Sequence, residues 1–248
     1  MSAAAPSAET LFAVLAATWP PAAVRKQGPW LLREGAGGGK RVSAATAEGP
    51  FGPDDIAAAE QAMRALGQAP LFMLRPESHP GDAVLDEALA ARGYMRSEPT
   101  VIYAAPARQL LPEPLPVMQV LSIWPPLAIQ RELWAEEGIG PERLRVMERA
   151  SDPRVALMAR QSDRVAGAGF IAMHQGIAML HAVVVTAALR RRGAARNLTR
   201  GAAEWAMAQG AEWLALAVTE ANQPARLLYA GLGMEPAARY HYRSSGDI

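Results

Sequence analysis

The chain has 248 residues, half of them hydrophobic, no cysteine, and a formal net charge of +1. That length holds one large domain or two of ordinary size, with enough apolar residues for a substantial core. Near-neutrality supplies no global field toward nucleic acid or a membrane surface, and the lack of cysteine excludes thiol nucleophiles, disulfides and thiolate metal sites. The four histidines, His79, His174, His181 and His241, include no pair at ligand spacing on one helix, so no metal site is expected.

In chain order, the start does not read as a signal peptide. No Lys or Arg precedes Leu11, Glu9 interrupts, and the apolar run to Ala17 is short. No segment approaches a membrane span in length, so a soluble cytoplasmic protein is expected. The run Gly35-Ala36-Gly37-Gly38-Gly39-Lys40 invites comparison with a nucleotide loop. The first glycine of that motif falls on Glu34, however, and its hydroxyl residue on Arg41. Residues 41–47 read as a strand, which makes the glycines a flexible hairpin connection. A helix over 56–67, a strand over 71–75, a helix over 83–92 and a strand-like stretch over 94–104 follow.

The proline-rich segment 106–116 (PARQLLPEPLP) has neither periodicity and reads as a linker. Beyond it come a strand over 117–122, helices near 127–137 and 141–150, and a meander of strands over 155–160, 165–172 and 177–185. Turns over 161–164 and 173–176 join the meander. A helix over 194–209, a strand over 213–218, a helix over 223–232 and a strand-like 234–243 complete the chain. The order is that of an α/β protein, a mixed sheet with helices on its faces. The helix–strand–helix–strand series occurs once on each side of the linker, which suggests a duplicated unit: domains over 1–105 and 117–248 joined by 106–116.

The stretch from Val183 to Ala195 carries the chemistry. A β-branched strand ends in Arg190-Arg191-Arg192-Gly193, and an alanine-rich helix starts directly behind. A helix start exposes unpaired N–H groups and the positive end of the dipole, and Gly193 lets the backbone come close to a pyrophosphate. A solvated helix face explains Arg196 and Arg200 better, with Glu204 as the next pairing partner. A nucleic-acid patch is disfavoured, because the cluster holds no aromatic residue.

This order of elements, with Arg190-x-x-Gly193-x-Ala195 after the fourth strand of the second half, resembles the GNAT superfamily of N-acetyltransferases. Asn222 past the next strand and Leu228-Tyr229 on the following helix extend the resemblance over about 117–243. It implies tandem GNAT-like domains, the second one active, using acetyl-coenzyme A as co-substrate and no metal. Val183 and Val185 would pair with the pantetheine through their backbones, and an N–H near Val183 would face the oxyanion. Arg190, Arg191, Arg192, Gly193, Ala194 and Ala195 would hold the pyrophosphate. Asn222 would stand near the pantetheine arm, and Tyr229 would be the general acid toward the leaving sulfur.

In many relatives a glutamate near the position of Met179 deprotonates the amine; Met179 cannot. Strand alternation puts Met179, His181, Val183 and Val185 on one face. His181 is therefore the candidate base, through a water, with Glu220 second. The acceptor would be a small-molecule or peptide amine, and the protein a monomer or homodimer. A non-catalytic module that binds acyl-coenzyme A, or only a partner, is the alternative. In the first half the corresponding turn, Glu48 to Asp55, has two prolines and puts Asp54 and Asp55 at the helix start. Aligned on Gly93 and Gly233, Leu89 stands opposite Tyr229 and Asp82 opposite Asn222. The first half thus reads as degenerate.

Overall fold

The computed structural model describes residues 4–161 and 163–246. The expected turn over 161–164 includes Ser162, and the two expected domains include 1–3 and 247–248; these positions lie outside the described residues. The chain opens with α1 (Ala8–Thr18), capped by the Ser7 side chain, and the hairpin β1 (Ala23–Gln27) and β2 (Trp30–Glu34). Next come α2 (Lys40–Ser43), β3 (Thr46–Ala47), α3 (Pro53–Ala65), β4 (Leu71–Leu74), α4 (Asp82–Ala91) and β5 (Met95–Pro106). The second half holds α5 (Ala107–Leu110), β6 (Val120–Ile123), α6 (Ala128–Glu136), α7 (Pro141–Arg149), β7 (Arg154–Gln161), β8 (Arg164–His174) and β9 (Ile177–Val185). It ends with α8 (Ala194–Ala208), β10 (Trp213–Thr219), α9 (Gln223–Gly231) and β11 (Glu235–Ser244).

Two expectations need correction. Residues 41–47 are not one strand: α2 takes 40–43, Ala45 only bridges Phe72 of β4, and β3 is the two residues Thr46–Ala47. The segment 106–116 is not a free linker at its start. Pro106 closes β5, and Ala107 and Leu110 of α5 are buried in the core that α8 covers.

β1, β2 and β3 form a small antiparallel sheet. The other eight strands form one continuous sheet in the order β4-β11-β5-β10-β9-β8-β7-β6. β5, from the first half, lies antiparallel between β10 and β11, and β11 lies antiparallel between β5 and β4. Each half therefore places its last strand against the other half's preceding strand. The middle strands β7 to β10 are largely apolar on both faces, as burial under helices requires. One face packs Leu157, Ile171, Leu180 and Leu216 under Leu198, Ala202 and Ala206 of α8. The opposite face packs Ala168, Phe170 and Val184 under Trp134 of α6 and Val146 and Met147 of α7. Met179 and Ala215 lie under Leu11 and Leu15 of α1. α8 buries positions 194, 198, 202 and 206, one helical stripe.

Candidate active site

β9 and β10 run parallel, but their pairing covers only Ile177 to Leu180 against Trp213 to Leu216. Beyond Leu180 the two strands separate. A cleft of about 1060 Å³ opens there, lined by Leu180 to Val185, Arg190, Arg191, Gly193 to Arg196, Leu216 to Val218, Asn222 and Tyr229. Val183 and Val185 edge the cleft.

The split begins at a bulge. Ala182 has φ +50°, and the register with β8 shifts between Ala168 and Phe170. Gly167 makes room for it, since a Cβ there would stand 2.4 Å from the Val184 carbonyl. The Trp134 indole donates to the Ala182 carbonyl at 2.8 Å, which satisfies a half-buried group at the bulge. The bulge also breaks the alternation expected of the strand. Met179 packs toward α1 and His181 against Trp19 and Phe170, whereas Val183 packs with the core under α8. His181 and Val183 do not share a face.

At the far end of the cleft Ala187–Leu189 form a 3₁₀ turn before the basic stretch. Gly193 caps α8 at φ +89°, a conformation that favours glycine. The Asn197 N–H bonds the Gly193 carbonyl at 2.9 Å, so the N–H groups of Ala194, Ala195 and Arg196 precede the first intrahelical bond. Arg190 is held by an ion pair with Glu137 and donates to the Val185 carbonyl at 3.1 Å. Arg191 lines the cleft. Arg192 does not line it, and its carbonyl accepts from Gln161. Arg196, expected on a solvated face, is a lining residue; Arg200 instead donates to the Glu113 carbonyl. The helix head, three guanidinium groups on its rim and an apolar strand edge fit an elongated ligand with a diphosphate in its middle.

Tyr229 is buried in the opposite wall at 5% exposure, its ring 6.4 Å from that of Tyr103. Burial pushes its phenol up to about 12. The proton therefore stays on the oxygen at neutral pH. Asn222 caps α9, its Oδ1 accepting the Ala225 N–H at 3.2 Å.

His181 is buried. Thr18 donates its hydroxyl proton to the Val14 carbonyl at 2.7 Å, so His181 Nε2 must donate to Thr18 Oγ1 at 2.8 Å. The bare nitrogen is then Nδ1, which accepts from an Arg41 guanidinium N–H at 3.3 Å. Burial, then the Arg41 charge, holds the imidazole well below its usual range. This corrects the expectation for His181: its lone pair is engaged by a cation and it is no open base. Glu220 is no better placed. It lies outside the cleft lining, 4.0 Å from Arg239. Arg41, Thr18, Trp19 and Trp134 shape the site from distant segments.

A parallel pair of strands thus splays around an anion-ready helix head and is faced by a buried phenol. Residues 122–234 match the sequence profile of the Acetyltransferase (GNAT) family. Over that segment, which is under half of its length, the chain is similar to this acyltransferase family. It is similar to an uncharacterized N-acetyltransferase, YobR, of Bacillus subtilis (strain 168), with 28% identity over 237 residues covering 92% of this chain and 94% of the other. A GCN5-related N-acetyltransferase from Kribbella flavida has a similar fold. Its TM-score is 0.65, at 19% identity, over 96% of this chain and 95% of its own. A tandem GNAT protein from the clavulanic acid biosynthesis pathway gives 0.59 at 15% identity, over 92% of this chain and 84% of its own. Among the described residues no helix is long and apolar enough to cross a membrane.

Proposed function

We propose that the chain moves an acetyl group from acetyl-coenzyme A directly to a primary amine in the cleft between β9 and β10. The observation that supports this most is the open head of α8 lying in one cleft with the unpaired flank of β9 and with Tyr229. Gly193, Ala194, Ala195 and Arg196 would take the diphosphate with Arg190 and Arg191 at its rim. Val183 and Val185 would pair with the pantetheine. Asn222 keeps α9, and with it Tyr229, in place through its cap.

The chain's own part in the chemistry is small, because a thioester is already activated and alignment supplies much of the rate. The acceptor enters as free amine, its ammonium proton having gone to water, since neither His181 nor Glu220 offers a base. Its nitrogen bonds the thioester carbon, and the carbon–sulfur bond breaks. Tyr229 gives its proton to the sulfur, and the proton lost by nitrogen returns through water to the phenolate. Release of free thiol by the purified protein with acetyl-coenzyme A and an amine panel tests the reading. Absence of both release and cofactor binding would refute it.

We also propose that the two halves are GNAT-like repeats, the first degenerate. The mirrored strand order β4-β11-β5-β10 supports this. At the head of α3 the Asp55 carboxylate takes the Gly52 N–H at 2.8 Å and Pro53 has none to offer, so the place of a diphosphate is filled. Leu89, opposite Tyr229 in the alignment, is a fully buried core residue. We place the protein in the cytoplasm, as a monomer or homodimer. One observation favours the alternative of a non-catalytic acyl-coenzyme A binder: Met179 is fully buried where relatives carry a base.

A further inference from the structure

A second cavity of about 360 Å³ adjoins the cleft and shares Arg41, His181, Ala182 and Ala217 with it. It lies on the α1 side of the sheet, away from α8, and its other walls include Trp19, Lys40, Glu98, Arg143, Tyr240 and Tyr242. Its charges do not balance. Lys40 pairs with Glu98 at 2.9 Å, whereas neither Arg41 nor Arg143 has a carboxylate within ion-pair distance among the described residues. The Tyr240 and Tyr242 phenols lie against the Arg41 guanidinium and favour its charged form, but its Nε is buried without a hydrogen-bond partner. Arg143 lies across Gly39, where a Cβ would be 3.4 Å from its Nε and Nη2, and the only described hydrogen bond of its guanidinium is a 3.4 Å contact to the Gly138 carbonyl.

A guanidinium withdrawn from water without a counter-charge is costly, and its planar fork is shaped for a carboxylate. We propose that this cavity is the acceptor pocket and that it selects an amine bearing a carboxylate, a free amino acid or similar small amino-carboxylate. Arg41 and Arg143 would bind the acid group while the amine faces the cleft at Ala182. The chemistry of the pocket favours this over a polyamine or a lysine-rich peptide, which would bring a second positive charge against Arg41. A volume of this size suits a small molecule. The inference rests on the acetyltransferase reading above.

The test compares matched acceptors, L-amino acids against their amides and the corresponding decarboxylated amines, with acetyl-coenzyme A and wild-type protein. The carboxylates should be acetylated with kcat/KM at least tenfold above their amides. Arg41→Met should raise KM for the carboxylates at least tenfold and erase the preference for carboxylates over their amides. Arg143→Ala, at a half-exposed position, should reduce the same preference if Arg41→Met does not fold. Equal or better turnover of the amides or amines overturns the proposal, as does no turnover of any carboxylate by protein that binds acetyl-coenzyme A. Failure to bind acetyl-coenzyme A at all would instead overturn the cleft reading beneath it.

Discussion

Removing one oxygen from Tyr229 separates a catalytic phenol from a packing one. The ring is 5% exposed and belongs to the core under α8, so Tyr229→Phe keeps the packing. Burial is the one cause that raises the phenol, to about 12, and no described residue hydrogen-bonds its hydroxyl. The substitution leaves no partner stranded, so stability should change by less than about 1 kcal/mol. If the hydroxyl protonates the departing thiolate, kcat should fall by about 10²–10⁴, or roughly 2.7–5.4 kcal/mol. Steady-state thiol release gives kcat, and calorimetry gives the affinity for acetyl-coenzyme A, which should stay within about threefold. The phenol ionises only near 12, so wild-type kcat should show no alkaline loss from this group below about pH 10. A variant with kcat within threefold of wild type would refute the role of Tyr229.

Other substitutions probe the remaining links. Gly193→Ala forces a side chain into φ +89° with open space around it, so strain alone acts; we expect a loss of about 1–2 kcal/mol by denaturant unfolding and weaker cofactor binding, with Gly193→Asn milder. Asn222→Ala removes the cap of α9 and should cost about 1 kcal/mol in the same assay. His181 is held neutral in the fold, so the unfolded chain takes its proton first as pH falls below about 6.5. Stability should be full above that value and drop by up to about 1.4 kcal/mol per pH unit below it, and His181→Gln should flatten that slope. His241, lowered by burial against the pull of Asp86, adds a slope of the same sign that the variant keeps. Because the site offers no open base, log kcat/KM should rise with pH until the acceptor's own ammonium has titrated, moving with the acceptor rather than with the enzyme.

The elements of the second half were legible because each carries a strong local signal. β9 is an apolar run interrupted only by His181, and α8 begins at an Arg-Gly turn and repeats small residues at helical spacing. The helix head follows from that stretch, whereas Tyr229 is singled out only by the family resemblance downstream of it. The bulge at Ala182 does not follow, because apolar residues on both sides of His181 do not reveal a shift of one residue, and so strand alternation puts His181 and Val183 on one face. Two further features were out of reach for a different reason. The exchange of β5 and β11 is a pairing between strands far apart in sequence, which local patterning does not encode. Arg41 sits behind a glycine run that resembles a loop, and only the folded sheet brings it to His181.

The central claim is that the head of α8 grips a diphosphate. Calorimetry with acetyl-coenzyme A and with S-acetylpantetheine, which shares the thioester arm but lacks the diphosphate, tests it directly. The account predicts saturable binding of the first and at least 100-fold weaker binding of the second, the gap narrowing in Gly193→Ala. Equal affinity for the two, or no binding of acetyl-coenzyme A, would contradict it.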